Sequence, residues 1–183
     1  MRITRRNPGK GVFGLKRLII LRHATPAASG HDGTDHTRPL TMLGQREAHI
    51  QGRFLREAGI IPQQVEASSA TRARETAEII AEDLGLSDRL FISDSLYNAP
   101  GEVLLNRLQA LPPKINTVLL VAHMPGVAEL LNLLTVDSGE MAVAFQPGTL
   151  VSITIPAHTP WAELVYGSGT MEWCLPPLLL DRG

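Results

Sequence analysis

The sequence predicts an α/β protein: a three-layer α/β/α sandwich with a mostly parallel central sheet, a C-terminal antiparallel extension and no inserted cap domain. Two observations predict this class. Apolar runs at residues 18–21 and 117–122 are continuous, as in strands that are covered on both faces. Strand-like and helix-like segments alternate as far as residue 134, and strand-like segments follow. The alternation favours a parallel sheet, and the closing strands favour antiparallel pairing.

The predicted strands are short segments rich in apolar or β-branched residues. The two continuous apolar runs are expected at the buried centre of the sheet, and each leads to a histidine, His23 or His123. The full set is residues 18–21, 64–67, 90–93, 117–122, 149–155, 161–166 and 171–175.

The predicted helices are segments whose apolar residues recur every three or four positions. Residues 44–58 form one such segment, and Gly59 suits the end of a helix. The clearest stripe consists of Ala73, Ala77, Ile80, Ala81 and Leu84. Two further stripes are Leu104, Leu108 and Leu111, before Pro112-Pro113, and Val127, Leu130, Leu131 and Leu134, which begin near Pro125.

Length and composition indicate one domain. A chain of 183 residues that is 44% hydrophobic can bury an ordinary core. We expect residues 17–183 to form this domain and residues 1–16 to form a basic, flexible leader. The first 17 residues hold six basic side chains and no acidic one, and residues 7–11 interrupt the apolar core that a signal peptide needs.

Charge and cysteine content limit the partners and the compartment. The formal net charge is -1, so no overall basic field favours nucleic acid as a partner. No apolar run approaches the roughly 20 residues of a membrane-spanning helix, so we expect no membrane partner. Cys174 is the only cysteine and cannot form an internal disulfide, which favours a cytoplasmic location. The sequence does not indicate an oligomeric state.

An arginine and a histidine, Arg22 and His23, directly follow the first buried strand. Open α/β sheets bind their ligands at the carboxyl ends of the strands. A guanidinium can grip two phosphate oxygens, while a neutral imidazole nitrogen can attack phosphorus. The attacking nitrogen must be unprotonated, which is easiest if the other ring nitrogen donates to a backbone carbonyl. The pair therefore predicts a phosphate site with a nucleophilic histidine.

Three further cationic side chains fall at predicted strand-to-helix junctions on the same edge. Arg38 ends the long polar loop at residues 24–40, Arg72 precedes the clearest helix, and His123 follows the second buried strand. Each alone is typical of a solvated loop or helix end, but together they predict an anion site. A cluster of guanidiniums can supply the positive charge that Mg²⁺ often supplies in phosphoryl transfer, so we expect no metal and no other cofactor.

These residues give the chain a resemblance to the histidine phosphatase superfamily, which has the phosphoglycerate mutase-like fold, and within it to the SixA-type phosphohistidine phosphatases. The similarity spans residues 18 to about 155. The motifs that carry it are Arg22-His23-Ala24 with Thr25-Pro26, Arg38-Pro39-Leu40-Thr41 with Gly44, the segment 68–76, and Val121-Ala122-His123-Met124-Pro125. Many family members have glycine at the positions of Ala24 and Ala122 and asparagine at that of Met124, departures that leave the side-chain chemistry unchanged.

The resemblance implies a division of labour among the cationic residues. His23 would be the nucleophile that is transiently phosphorylated, and Arg22, Arg38, Arg72 and His123 would hold the phosphoryl group. His123, if protonated, could donate to a phosphoryl oxygen. Larger family members also have a glutamate that protonates the leaving group.

The position of that acid is open in this sequence. Glu102 is the best positional candidate, although an acidic side chain in the first turn of a helix also complements the helix dipole. Asp35 is the alternative, and it could equally orient Arg38. A metal site in the histidine- and aspartate-containing segment 31–36 is a weaker possibility, since such polar segments with glycine are typical of loops.

The substrate is expected to be a phosphorylated protein, with inorganic phosphate as the product. Phosphohistidine releases an imidazole, a far weaker base than an alkoxide, and its cleavage needs little help from an acid. The short interval between Arg72 and His123 leaves little space for an inserted cap domain, so the site should be open to another protein. The alternatives are a phosphatase for small phosphorylated molecules, a mutase, and a non-catalytic module that binds phosphate or phosphoproteins.

Overall fold

The computed structural model describes residues 14–135 and 143–180. In these ranges the strands are β1 (Leu15–Arg22), β2 (Gln64–Ser68), β3 (Leu90–Ser93), β4 (Thr117–Ala122), β5 (Leu150–Pro156) and β6 (Thr170–Leu175). They form one sheet in the order β3-β2-β4-β1-β5-β6. The four strands from β3 to β1 pair in parallel, whereas β5 and β6 pair antiparallel. The predicted mixed sheet with its antiparallel extension is confirmed.

Helices cover both faces of this sheet. They are α1 (Met42–Glu57), α2 (Thr71–Leu84), α3 (Gly101–Gln109) and α4 (Gly126–Leu134). Side chains alternate across β1: Ile19 and Leu21 pack with α1 and α2, whereas Leu18 and Ile20 pack with α3 and α4. All four side chains are fully buried. The three-layer sandwich is therefore confirmed, and its two apolar cores meet at the continuous runs of β1 and β4.

Helix α1 begins at Met42, two residues before the predicted segment, because Thr41 caps it. The Thr41 hydroxyl accepts a hydrogen bond from the Gly44 amide at 3.0 Å. Gly44 lies so close to the Thr25 backbone that a β-carbon there would collide with the Thr25 carbonyl oxygen. The start of α1 is thus fixed against the loop that leaves β1.

The strand predicted at residues 161–166 is wrong. Trp161–Glu163 form a 3₁₀ turn, and Trp161 and Leu164 are both buried in the core beside α3. The spacing of three between these apolar residues suits one side of a turn, and Pro160 directly precedes it. The Trp161 indole donates to the Ile115 carbonyl at 2.6 Å, which satisfies its polar atom within the core.

The predicted leader falls largely on residues 1–13, which lie outside the described residues. Leu15 and Lys16, at its end, already belong to β1, and the Lys16 ammonium donates to the Ala157 carbonyl at 2.9 Å. In the described part of the chain, no helix has the length and apolar character required to cross a bilayer.

Candidate active site

The topology brings the predicted site residues to one edge of the sheet. Arg22 and Ala122 are register partners on the neighbouring strands β1 and β4, so His23 and His123 emerge side by side. Their ring centroids are 5.0 Å apart. β2 flanks β4 on its other side and leads through a short turn to Arg72 in the first turn of α2.

The His23 side chain is held at both ring nitrogens. Its Nδ1 lies 2.8 Å from the Ala24 carbonyl oxygen, and because a carbonyl only accepts, Nδ1 carries the proton. Arg72 Nε donates to His23 Nε2 at 3.2 Å, which requires a bare Nε2. Burial, followed by three nearby guanidiniums, lowers the pKa of His23 to about 4, although the hydrogen bond to Ala24 opposes the shift. The ring is therefore neutral at physiological pH, with Nε2 as the available nucleophile.

Arg72 links this histidine to the loop that follows β1. Arg72 is 4% exposed. Its Nη1 donates to the Asp35 carbonyl at 2.6 Å, and its Nη2 donates to Asp35 Oδ2 at 2.9 Å. The three donated hydrogen bonds fix the plane of the guanidinium beside the His23 ring.

Arg22 and Arg38 line the same cavity as His23. Arg22 Nη1 donates to the Phe145 carbonyl at 2.5 Å, and burial, together with the charge of Arg72, lowers the pKa of Arg22. Arg38 Nε donates to the Ala27 carbonyl at 2.7 Å, and its Nη1 donates to Asp35 Oδ1 at 2.9 Å. Arg22 is therefore anchored at one nitrogen and Arg38 at two, and both guanidiniums retain further N–H groups for an anion.

His123 is 3% exposed, and its Nε2 lies 2.7 Å from the Ser68 hydroxyl oxygen. Its Nδ1 has no hydrogen-bond partner among the described residues. Burial and the neighbouring His23 and guanidiniums lower the pKa of His123 to about 3, against the opposing charge of Asp35. His123 is therefore neutral in this state, in contrast to the protonated form considered from the sequence.

Asp35 stands at the centre of the hydrogen-bond network. Its carboxylate accepts from Arg38, Arg72 and the Tyr97 hydroxyl, the last at 2.9 Å. Partial burial opposes ionisation, but these three hydrogen bonds lower the pKa of Asp35 to about 2. Asp35 is thus a carboxylate that shares two guanidiniums with any bound anion.

Tyr97 is a residue of this site that the sequence reasoning missed. Besides its bond to Asp35, its ring packs edge-on against His36 and His123, with centroid distances of 4.8 and 5.7 Å. It follows β3, so the rule that strand ends carry the site could have identified it. Nothing in its own sequence neighbourhood distinguishes it.

The site residues line a cavity of about 390 Å³ that is open to solvent. Its lining consists of Arg22, His23, Pro26, Asp35, Arg38, Arg72, Asn98, His123 and Met124. All five predicted cationic residues are in this set. Glu102 is not: it is exposed in the first turn of α3. Of the two acids considered from the sequence, the structure brings Asp35 into the cavity.

Polar residues of the segments 68–76 and 31–36 have partners within the protein. Ser68 contacts His123, and the Ser69 hydroxyl lies 2.9 Å from His36 Nε2. Arg74 is exposed, with its Nε 3.7 Å from Glu78. Asp32 accepts hydrogen bonds from Thr34 and Thr37 within the loop. Among the residues that the structure describes, no group of three or more histidine, cysteine, aspartate or glutamate side chains could hold a metal ion.

An α/β sandwich with two histidines and three arginines at the carboxyl edge of its parallel strands defines a phosphate-handling protein. The model of the histidine phosphatase superfamily (branch 1) matches residues 18–96. The chain belongs to this superfamily and to its SixA type, and it is a phosphatase of that family.

Relatives extend the similarity over most of the chain. An uncharacterised protein of Mycobacterium tuberculosis (strain H37Rv) is 30% identical over 159 residues, which cover 82% of this chain and 96% of that protein. The phosphohistidine phosphatase SixA of Escherichia coli K12 is 26% identical over 163 residues, covering 88% of this chain and 94% of SixA. A solved structure of the protein histidine phosphatase SixA with tungstate has a TM-score of 0.77 at 26% identity, covering 90% of this chain and 99% of that one.

Proposed function

We propose that this protein is a metal-independent phosphatase that works through a phosphohistidine intermediate on His23 and removes phosphate from phosphohistidine in another protein. One observation carries the proposal. The His23 ring is neutral, with Nδ1–H bound to the Ala24 carbonyl and bare Nε2 beside the Arg72 guanidinium. This is the state that a nucleophilic imidazole requires.

Two displacement steps use this geometry. In the first, Nε2 attacks phosphorus, a P–Nε2 bond forms, and the bond to the leaving group breaks with its electron pair going to that group. In the second, water attacks phosphorus, the P–Nε2 bond breaks, and inorganic phosphate leaves. Throughout, Nδ1–H stays bound to the Ala24 carbonyl, which stabilises the positive charge of the phosphorylated ring.

The cationic side chains stabilise the charge of the transferring group. Arg22, Arg38 and Arg72 line the same cavity as His23 and can bind the three non-bridging oxygens. His123 is neutral before the substrate binds, and a phosphoryl dianion next to its ring would favour the protonated form. It then donates to a phosphoryl oxygen.

Asp35 rather than Glu102 is the proposed acid-base group, because Asp35 lines the cavity and Glu102 does not. A carboxylate whose pKa is about 2 is a poor proton donor, but it can accept the proton of the water that attacks phospho-His23. Such a site suits a leaving group that departs without strong protonation. An imidazole leaves in this way far more easily than an alkoxide, which supports phosphohistidine as the substrate.

The openness of the cavity supports a protein substrate. Met124 on its rim is 39% exposed, and Asn98 is exposed beside it. A phosphorylated side chain that projects from another protein can reach His23 without a lid having to open. The SixA relatives named for phosphohistidine support the same assignment.

We also propose a cytoplasmic location, on the basis of the single cysteine.

The proposal is tested by comparing three substrates with the full-length protein: a phosphohistidine peptide, a phosphoserine peptide and a small phosphomonoester, each with and without EDTA. We expect rapid, EDTA-resistant hydrolysis of the phosphohistidine peptide and slow hydrolysis of the esters. His23→Ala should abolish turnover, and quenching the wild type in alkaline detergent should trap an acid-labile, alkali-stable phosphoenzyme that this variant lacks. His158→Ala, which changes an exposed histidine remote from the cavity, is the matched control.

Each other outcome has a defined meaning. Residual EDTA-resistant turnover in His23→Ala would exclude His23 as the nucleophile, and loss of activity with EDTA would exclude the metal-independent mechanism. Preference for the small ester would replace the protein substrate with a metabolite. Phosphate binding without turnover of any substrate would identify a binding module.

Two variants test the acid-base group. Asp35→Asn should slow dephosphorylation of the intermediate. Glu102→Gln should leave turnover within about twofold of wild type, because the Glu102 side chain is exposed and lies outside the cavity.

A further inference from the structure

Thr76 is a fully buried threonine in α2, one turn after Arg72. Its hydroxyl donates to the Arg72 carbonyl oxygen at 2.6 Å and accepts from the Ala24 amide at 3.1 Å. The direction of both bonds is fixed, since a carbonyl only accepts and an amide N–H only donates. A helical threonine commonly bonds the carbonyl four residues earlier. The bond to Ala24 is different, because it joins α2 to the residue that directly follows the nucleophile.

These two bonds complete a closed circuit that begins and ends on the His23 ring. His23 Nδ1 donates to the Ala24 carbonyl, and the Ala24 amide donates to Thr76. Thr76 donates to the Arg72 carbonyl, and Arg72 Nε donates to His23 Nε2. Both ring nitrogens are thus connected through one buried hydroxyl.

We infer that Thr76 is a positioning residue for His23: by holding the Ala24 N–H against α2, it fixes the Ala24 backbone and so keeps the ring in the Nδ1–H tautomer with Nε2 turned toward Arg72 and the cavity. The inference rests on the proposed function only in taking His23 as the nucleophile. Ala24 is fully buried, so without the hydroxyl its N–H has no water to bond. A shift of the Ala24 backbone that brings its N–H to another acceptor would relieve this and would also displace the Ala24 carbonyl from Nδ1.

The test combines three variants of the full-length protein with two measurements. Thr76→Val removes the hydroxyl at nearly constant volume, and Thr76→Ser keeps it. Ile80→Val, one turn further along α2 at an equally buried position, reproduces a loss of stability without touching the circuit. The first measurement is the ¹⁵N chemical shifts of the His23 ring at neutral pH, which distinguish the protonated from the bare nitrogen. The second is kcat and KM for the phosphohistidine peptide.

We expect wild type, Thr76→Ser and Ile80→Val to hold the Nδ1–H tautomer, and Thr76→Val to populate both tautomers. The kcat of Thr76→Val should fall about tenfold, the effect of losing one positioning hydrogen bond, with a much smaller change in KM. If Thr76→Val does not fold, Thr76→Ala takes its place in both measurements.

The inference is overturned if Thr76→Val keeps the single Nδ1–H tautomer, or if its kcat falls no further than that of an equally destabilised Ile80→Val. The tautomer is measured on the free protein and needs no substrate. If the protein hydrolyses none of the tested phosphates, the proposed function fails, while the ¹⁵N shifts still decide whether Thr76 positions His23.

Discussion

At the scale of single residues, the tyrosine that contacts Asp35 offers a test of the network. The Tyr97 hydroxyl donates to Asp35 Oδ2 and so helps to lower the pKa of this carboxyl. Tyr97→Phe should raise the pKa of Asp35 and reduce kcat/KM about threefold, as expected for losing one hydrogen bond to a charged group that is partly exposed. The carboxyl pKa is measured from the ¹³C shift of Asp35, assigned with the Asp35→Asn variant.

Tyr166 provides the matched control for that change. It is the second of the two tyrosines in the chain, it is 67% exposed, and it does not line the cavity. Tyr166→Phe should leave both the Asp35 titration and kcat/KM at wild-type values. An unchanged Asp35 pKa in Tyr97→Phe would contradict the role given to the hydroxyl.

The two site histidines also make stability depend on pH. Burial lowers the pKa of His23 to about 4 and that of His123 to about 3, whereas both are near 6.5 in the unfolded chain. Between these values the unfolded chain binds more protons, so the free energy of unfolding should fall as the pH decreases from about 6.5 to about 4. Each histidine should contribute on the order of 2 kcal/mol of this loss.

Urea unfolding at several pH values measures the effect. His23→Asn and His123→Asn should each flatten the dependence in this range. If both variants keep a pH dependence as steep as that of the wild type, the His23 and His123 rings are not held neutral in the folded wild-type protein.

At the scale of elements, the accuracy of the sequence predictions follows from burial. The strands predicted at residues 90–93 and 117–122 have the observed bounds, and the four helices lie within a few residues of their predictions, because their apolar periodicity reports the faces that they bury. The strand prediction for the segment 161–166 is wrong because its aromatic and β-branched residues are typical of strands, whereas the spacing of its buried residues is that of a turn. The hydrogen bond between Asp35 and Tyr97 could not be predicted from the sequence, since tertiary packing alone brings the two residues together.

An ion pair between a buried carboxylate and a partly exposed guanidinium joins β2 to α3. Glu66 is fully buried in β2, and Arg107 of α3 donates to its two carboxylate oxygens at 2.9 and 2.8 Å. Arg107→Ala leaves a buried carboxylate without its cation and should lower the free energy of unfolding by about 3 kcal/mol. Urea unfolding measures this loss.

Two further variants make the comparison specific. Arg74→Ala removes an exposed cation whose Nε lies 3.7 Å from Glu78, and should cost less than about 0.5 kcal/mol. Replacing Glu66 and Arg107 together by leucine should be less damaging than Arg107→Ala alone, because no unpaired charge stays buried. Equal losses for Arg107→Ala and Arg74→Ala would show that the pair adds nothing to the attachment of α3.

At the scale of the whole molecule, the cavity concentrates positive charge in a protein whose net charge is only -1. Three guanidiniums line it, and Asp35, the single carboxylate in its lining among the described residues, accepts hydrogen bonds from two of them. An incoming phosphate must share or replace the Asp35 contacts with Arg38 and Arg72. The affinity for anions is therefore set by a balance between the arginines and one internal competitor.

This balance predicts how inorganic phosphate, the proposed product, stabilises the fold. A ligand that binds only the folded state at a hundredfold excess over its Kd adds about 2.7 kcal/mol, so phosphate should raise the unfolding temperature. Arg38→Ala should reduce this rise in unfolding temperature, because one guanidinium that binds the phosphate is lost. Asp35→Asn should enlarge it, because the carboxylate that competes with phosphate for the arginines loses its charge. Thermal unfolding over a phosphate series at constant ionic strength, with Arg74→Ala as control, measures both. A smaller shift in Asp35→Asn than in wild type would mean that the carboxylate assists anion binding instead of opposing it.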